Sequence, residues 1–553
     1  MDMDHNHGAD ENTPWNINIP YAGILAGVLA GLTVLLGIRH FCFTWTITRN
    51  KEFIKLYSRW ERFIINKCSY TLTGMHGQPL LPPIGGILVI IMLLSTILPL
   101  LLVKVDLAVN SNRAGFLAIA CVPFLLASTG KHSAFALVTG ISPVKLNYLH
   151  RLLATAIVVL ATVHMATMLK SWTRFPAFLE TKLAMTKVQY GLAGYGCLCV
   201  VFLGSLYPVR RFCYEAFMLT HLVGFGFLGA IAKHTPYAMR YFFAGFVCYA
   251  LNAFAGWFVK SRIGYARFEI LPNGCTKISL RLASPLVHRP GQHIYINLPA
   301  LSYFEWHPFT ITNTHMAPGG VSDMVEVHAC VRGNFTRKLY ERCQDGKEWL
   351  AFTSGPCGNG SIDLEPATML SSHESILLLA GGAGVTFPIR LLRELAYTLI
   401  EFEMSSNFIT RDIYFCWSVR NAGQLAWFRE ELEHLLTVFE NARQSDSRKP
   451  RLTINFYITG SDTTGINEKI EDVQEHHNEG NTMLRATSDE ATKATLYTNT
   501  RIQVRSLLKN LSGRSPGVFA CGPSGFNAHV KNVVAKYTSL RSNPHLHCEE
   551  FEY

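Results

Sequence analysis

Two runs decide the architecture: NYLHRLLATAIVVLATVHMATMLK, residues 147–170, and THLVGFGFLGAIAKHTP, residues 220–236. Each is apolar, and each carries two histidines, His150 with His164 and His221 with His234. Histidine inside a lipid-length apolar run is costly and calls for a partner. At about 1.5 Å per residue the two members of each pair stand roughly 20 Å apart, about two thirds of a hydrocarbon core near 30 Å thick. One histidine from each helix can therefore meet its counterpart near each membrane face. Imidazole is an axial ligand for haem iron, and bundles build such sites from side chains on facing helices. The set of four suits two stacked bis-histidine haems. A spacing of fourteen residues returns His164 to within about 40° of His150, whereas thirteen leaves His234 well off the face of His221. The second helix is therefore expected to bend or bulge at Gly224, Gly226 and Gly229. For any one histidine alone, the plainer reading is a polar contact at a helix interface.

Outward from these runs, composition supports a membrane chain. Of 553 residues only 16% are charged, and the mean hydropathy is +0.18, which places part of the chain in lipid. A net charge of +11 would suit nucleic acid, but the bases cluster beside apolar runs, as topology signals do, and no nucleic-acid motif accompanies them. The acidic start, MDMDHNHGADENTPW, has no positive n-region, so residues 1–19 read as a polar tail outside the cytoplasm rather than a signal peptide. His5 and His7 in it offer at most a weak metal site.

Apolar runs at 20–38, 84–103, 114–138, 148–170, 189–208, 213–233 and 238–259 make seven expected spans within a membrane domain of residues 20–262. Arg39, Arg49, Lys51, Lys55, Arg59, Arg62 and Lys67 follow the first span, Arg210 and Arg211 the fifth, and Lys260 and Arg262 the seventh. These places should be cytoplasmic. The parity pairs His150 with His221 at the inner face and His164 with His234 at the outer. Lys104, Arg113, Lys170, Arg174, Lys182 and Lys187 lie in or beside the outer loops. They would attract an anionic ligand there, or simply snorkel.

Past Arg262 the pattern changes to short β-branched runs broken by Gly, Pro and Asn, a soluble region of two domains. Residues 263–365 read as a small antiparallel barrel. It contains Arg289-Pro-Gly-Gln292, then His307-Pro308-Phe309-Thr310, then Arg332-Gly333-Asn334-Phe335-Thr336. In the last, a strand enters a helix, offering backbone N–H groups and arginine to a diphosphate. Residues 366–553 read as an α/β domain. It opens on the buried strand Ser375–Ala380 and the turn Gly381-Gly382-Ala383-Gly384-Val385-Thr386, the strand, glycine turn and helix start that cradle a dinucleotide phosphate. Ser418 and Arg420 end a second strand and suit a 2′-phosphate better than a bare ribose diol. A polar stretch, 461–493, reads as a disordered insertion.

The four histidines, RPGQ, HPFT, GGAGVTFP, CGPSGF and the aromatic terminus together resemble the ferric reductase and NADPH oxidase superfamily, and most of all its fungal ferric-chelate reductases, over about 110–553. The resemblance implies a helical membrane domain with a bis-haem core, an FAD-binding barrel and an NADP-binding domain like that of ferredoxin-NADP reductase. It implies two b-type haems on the four histidines. FAD would be held by His307, Pro308, Phe309, Thr310, Arg332, Gly333, Phe335 and Thr336, with Phe551 or Tyr553 stacking on the flavin. NADPH would be held by Gly381 to Thr386, Ser418, Arg420, Cys521, Gly522 and Pro523. Gly355-Pro-Cys357-Gly358 departs from the family turn by a cysteine in an aromatic's place.

The implied activity carries electrons from cytoplasmic NADPH through FAD and the haems to a ferric or cupric chelate outside, so no residue acts as nucleophile or general base. The chelate, the bilayer and an iron or copper uptake transporter are the implied partners, and the plasma or the vacuolar membrane the place. A superoxide-generating oxidase shares the same parts. A haem-bearing transporter with a regulatory nucleotide-binding tail is the non-enzymatic alternative. The fourteen cysteines are expected as reduced thiols, with Cys197 and Cys199 packing inside a span.

Overall fold

The computed structural model describes residues 16–47, 51–75, 77–130, 133–314, 316–317, 320–321, 323–343, 347–358, 362–401, 408–460, 493–511, 516–539 and 542–550. His5, His7, Phe551, Tyr553 and the polar stretch 461–492 lie outside them. The chain forms two compact units, one of Met1–Arg49 with Leu88–Ala255, the other of Asn50–Ile87 with Gly256–Tyr553.

In the first unit the apolar runs become helices because a helix satisfies its own backbone within one segment, where hydrocarbon offers no partner. Among the described residues six helices are long and apolar enough to cross a membrane: Ile19–Cys42, Ile84–Leu102, Pro143–Trp172, Thr186–Gly204, Tyr214–His234 and Pro236–Val259. The third expected span, 114–138, is not one helix. Asn112–Ala127 has 16 residues, about 24 Å against a hydrocarbon thickness of about 30 Å. The chain then breaks where Gly130 takes φ +98°, and Ser133 caps a new short helix, Ala134–Thr139, by accepting from the Ala136 N–H at 3.3 Å. Hydropathy runs straight across that break. The 16-residue helix is enclosed by its neighbours, with Ala114, Leu117, Ala120 and Cys121 wholly buried.

Arg113, expected at the outer surface, is fully buried. Its Nε donates to Asn18 Oδ1 at 2.8 Å and its Nη1 to the Leu100 carbonyl at 2.9 Å. The guanidinium stacks 3.3 Å above the Tyr21 ring. A buried charge demands this saturation, and it makes Arg113 a brace rather than a docking point.

The second unit holds two six-stranded sheets and a separate two-stranded pair. β1 (Ser261–Leu271), β2 (Cys275–Leu282), β3 (His293–Asn297), β4 (His307–Thr310), β7 (Met324–Cys330) and β8 (Glu348–Cys357) supply the first, while β5 (Met316–Ala317) and β6 (Gly320–Val321) pair only with each other. Its order is β4-β3-β8-β1-β2-β7, antiparallel throughout. A bridge from Ile311 to Val327 returns the β4 end to β7, which gives the expected barrel. On β1, Gly264, Ala266 and Phe268 point inward and Ile263, Tyr265 and Arg267 outward, the two-residue period of a sheet with one buried face.

The second sheet orders β12 (Lys493–Thr498), β11 (Arg451–Ile458), β10 (Asp412–Val419), β9 (Ser375–Gly381), β13 (Pro516–Cys521) and β14 (His545–Glu549), all parallel. Every residue of β9 is buried, as a central strand covered on both faces must be. The chain builds outward from β9 through β10 to β12, then returns to β13 on the other side. That reversal is the switch point at which open α/β sheets bind ligands, beyond the carboxyl ends of the strands.

Candidate functional site

The histidines of the first unit pair as their parity requires. The rings of His150 and His221 lie 6.3 Å apart between centres, and those of His164 and His234 also 6.3 Å. With a metal–nitrogen distance of about 2 Å and about 1.1 Å from nitrogen to ring centre, two axial imidazoles on one iron place their centres about 6 Å apart. The outward nitrogens are anchored too. Nδ1 of His150 meets the Leu125 carbonyl at 3.1 Å, that of His164 the Ser111 carbonyl at 2.9 Å and that of His234 the Lys187 carbonyl at 2.8 Å. A carbonyl only accepts, so each Nδ1 carries the proton and each Nε2 keeps its lone pair, the tautomer and orientation a metal-ligating histidine needs. His221 Nδ1 lies 3.5 Å from Ser205 Oγ. The four residues therefore fit two bis-histidine haems.

The expected bulge between His221 and His234 is absent. Tyr214–His234 is α-helical along its whole length, and both of its histidines still meet their partners. Close approach comes instead from glycines facing this helix. A Cβ on Gly191 would stand 2.7 Å from the His234 ring, and one on Gly204 1.9 Å from Thr220 Oγ1. Small residues at a membrane helix interface permit such contact.

In the second unit, β4 presents His307 against Phe335 at the start of the helix Asn334–Arg342, rings stacked at 3.9 Å. Phe309 turns into the barrel core, and Thr310 is buried beside it, so the HPFT tetrapeptide divides into a half-buried His307-Pro308 and a buried Phe309-Thr310. The Arg332 and Gly333 N–H groups both donate to Thr336 Oγ1, at 2.9 and 3.2 Å. What this turn presents to an anion is the first-turn N–H groups of the helix, which lack intrahelical acceptors, and the exposed Arg332. Arg332 Nη2 stands 3.9 Å from where a Cβ on Gly382 would lie, so the barrel's arginine reaches the glycine turn of the parallel sheet.

That turn is built by close packing at the switch point. Gly382 takes φ +55°, and its carbonyl accepts from Trp417 Nε1 at 3.0 Å. A Cβ on Gly384 would sit 2.4 Å from the Cys521 carbonyl oxygen, and one on Gly381 3.0 Å from Pro523 Cδ. The GGAGVT and CGP segments thus touch backbone to backbone just ahead of the helix Thr386–Glu401. Ser418 stands beside Gly381 in the register of β10 on β9. Arg420 follows it, exposed, its N–H held by Gln424 Oε1 at 3.1 Å. Cys521 is fully buried, and burial, with Glu549, Cys548 and Glu550 nearby, pushes its thiol well above the usual range. It stays protonated and serves as packing.

Two residues here carried no signal in the sequence. His547 Nε2 and Glu549 Oε1 meet at 2.9 Å on β14. Glu549 Oε1 also stands 3.0 Å from where a Cβ on Gly291 of the RPGQ turn would lie. Only strand pairing brings the chain's last strand to that turn.

A membrane bundle with two histidine pairs, followed by a flavin-type barrel and a parallel nucleotide-binding sheet, defines the class of transmembrane flavocytochromes. Residues 114–232 match the model of the ferric reductase like transmembrane component, 261–378 that of an FAD-binding domain and 373–535 that of the ferric reductase NAD binding domain. The chain belongs to the ferric reductase and NADPH oxidase superfamily. It is 29% identical over 352 residues to the "Probable cell surface ferric reductase" of Aspergillus oryzae, covering 58% of this chain and 44% of that one. It is 25% identical over 350 residues to the ferric/cupric reductase transmembrane component 7 of Saccharomyces cerevisiae, covering 60% and 53%. A superoxide-generating NADPH oxidase heavy chain of Dictyostelium discoideum is 26% identical over 412 residues, covering 68% and 55%. The chain spans about half the length of these curated relatives.

Proposed function

We propose that this chain is a transmembrane ferric-chelate reductase, accepting cupric chelates as well, that moves electrons from cytosolic NADPH to metal outside the membrane for iron uptake. In this reading residues 20–262 form the haem domain, 263–365 the FAD barrel and 366–553 the NADPH domain, with 1–19 outside the cytoplasm. His150 with His221 and His164 with His234 hold the two b-type haems. His307, Pro308, Thr310, Arg332 and the Phe335 helix start hold FAD, with Phe551 or Tyr553 over the flavin. Gly381 to Thr386, Ser418, Arg420 and the Cys521–Pro523 turn hold NADPH. When bound, FAD divides a hydride's two electrons into single ones and the haems carry them across the lipid. The protein's own part is to position: Nδ1 anchors fix the histidine rings, and the glycine turn seats the phosphates.

The observation that carries this reading is the equal 6.3 Å spacing of both histidine pairs in one chain with both nucleotide domains. Exposed Lys104, Lys170, Arg174 and Lys187 supply positive charge for an anionic chelate. Lys187 gives its carbonyl to His234, so its side chain starts beside the outer pair. An uptake transporter downstream and a plasma-membrane location, with the vacuolar membrane as the alternative, complete the proposal.

The second reading, a superoxide-generating oxidase, is favoured by the similarity to the Dictyostelium chain over 68% of this one. Fe(II) formation from a ferric chelate by NADPH-fed membranes decides between them. Reduction that persists without oxygen and ignores superoxide dismutase supports the reductase. Reduction that needs oxygen and vanishes with the dismutase supports the oxidase. A haem-bearing transporter would keep its function after Gly382→Ala or His307→Ala.

A further inference from the structure

The segment between the first two long apolar helices is built into the second unit rather than left as a loop. Its helix, Lys51–Cys68, carries Asn66 in its last turn, and Asn66 is 2% exposed. The Asn66 amide donates toward Thr538 Oγ1 at 3.2 Å, Asn543 Oδ1 at 3.2 Å and the Pro544 carbonyl at 2.9 Å. Lys67 Nζ reaches the Ala535 carbonyl at 2.7 Å. Beyond the helix, Thr71 and Asn532 exchange two bonds: the Thr71 N–H gives to Asn532 Oδ1 at 2.8 Å, and Asn532 Nδ2 gives to the Thr71 carbonyl at 2.7 Å. Asn543 Nδ2 returns to the Arg59 carbonyl at 2.6 Å. Every partner lies on the helix Ser524–Tyr537 or on the stretch leading into β14. A buried amide with acceptors on three residues, beside a half-buried one that exchanges two bonds, is specific, because each lost partner leaves a desolvated polar group behind.

We propose that residues 59–83 form a second mount for the NADPH-binding domain, with Asn66 and Asn532 as positioning residues. The second unit is joined to the last long apolar helix through Lys260 and Ser261, where β1 begins. Residues 59–83 are continuous with the helix Ile84–Leu102 and bond to the last helix of the same unit and to the stretch leading into β14. One covalent joint leaves a domain free to swing, and a second, independent tie restricts it, which raises the fraction of time that groups are held in reach of one another. The mount rests on the reductase reading for its consequence: releasing it slows electron delivery to the haems without impairing NADPH oxidation at the flavin.

The test uses the full chain in nanodiscs, loaded with FAD and haem, with Asn66→Ala, Asn532→Ala and both together. Hydrogen exchange is read over 59–71 and 543–549. The KM and kcat for NADPH are read with a tetrazolium dye, which takes electrons from the flavin, and the haem band is followed anaerobically after mixing with NADPH. In the double variant exchange of both segments rises at least tenfold and haem reduction slows at least tenfold, while dye kcat and KM stay within twofold of the parent. Unchanged exchange overturns the mount, and so does a parallel fall of dye and haem rates, which would make the segment a plain stabiliser. If the parent's haem band ignores NADPH, the reductase reading fails, and the exchange data still decide whether the segment grips the domain.

Discussion

Gly384→Ala should cripple NADPH use while leaving the flavin in place. The added Cβ would lie 2.4 Å from the Cys521 carbonyl oxygen, 2.7 Å from its carbon and 2.9 Å from the Gly522 Cα. All three atoms are backbone, so no rotamer relieves the clash. Cys521 sits in register with Ala380 of β9 on one side and Glu549 of β14 on the other, so its carbonyl moves only if the strand ends move. Overpacking a rigid contact costs about 1–3 kcal/mol and sometimes more; at about 1.4 kcal/mol per decade, a 2 kcal/mol loss raises the KM for NADPH about 30-fold. Gly382→Ala is the internal comparison. Its φ of +55° penalises any Cβ, by about 1–2 kcal/mol, but the space is open, with Arg332 Nη2 3.9 Å away. The smaller effect, about 5- to 30-fold, should fall on the same constant. The assay is steady-state dye reduction against NADPH, with bound flavin measured by fluorescence after denaturation. A Gly384→Ala enzyme with a KM within twofold of the parent would refute the claim that backbone contact at the switch point shapes the cofactor seat.

Other outcomes follow from single residues. His164→Ala should lower the haem band to about half and leave the His150 and His221 pair loaded, which haem titration and difference spectra will show. Arg113→Ala should cost about 3 kcal/mol by taking the Nη1 donor from the Leu100 carbonyl, one of two donors from Asn18 Oδ1 and the stacked cation from Tyr21; it should lower the melting temperature and leave the KM for an anionic ferric chelate unchanged. His328 is buried, and burial, with Arg393 and Lys277 nearby, pushes its pKa down to about 3 from 6.5. The unfolded chain therefore binds the extra proton first as pH falls, so the stability from neutral His328 is whole above pH 6.5 and lost on the way to about 3. That amounts to about 2 kcal/mol at pH 5. Denaturant titrations of parent and His328→Gln at pH 7 and pH 5 should show the parent's slope flattened in the variant.

Much of this molecule was written in local pattern. The membrane helices came from hydropathy, and the histidine partners from counting residues and basic loops. The failures there have one cause, that hydropathy reports what is apolar and not what is continuous or buried by a neighbour. It ran through Gly130 without registering a φ of +98°, so the enclosed helix Asn112–Ala127 looked like part of a longer span. It also left Arg113 at an imagined surface, because nothing around Arg113 announces Asn18 and Tyr21 as partners. Of the bend or bulge expected between His221 and His234, the bulge is absent, for a related reason. Angular spacing on one helix ignores the reach of an imidazole and the freedom that Gly191 and Gly204 give the facing helix.

In the second unit the motifs were legible because each is one continuous run of backbone, such as the glycine turn Gly381 to Thr386. Contacts between distant runs were not. Asn66 and Pro544 are 478 positions apart, and the 59–71 stretch read only as basic loop. The consequence is specific: sequence finds what binds a cofactor, and here it missed what holds the domain that binds it. A helix of mixed polarity between two apolar ones carries no motif, yet Asn66 and the Thr71–Asn532 exchange tie it to the last helix of the sheet. Electron transfer depends on how cofactors are held as well as on which residues hold them. The residues that govern rate in such a chain are therefore to be sought at asparagines buried between segments as much as at histidines inside them.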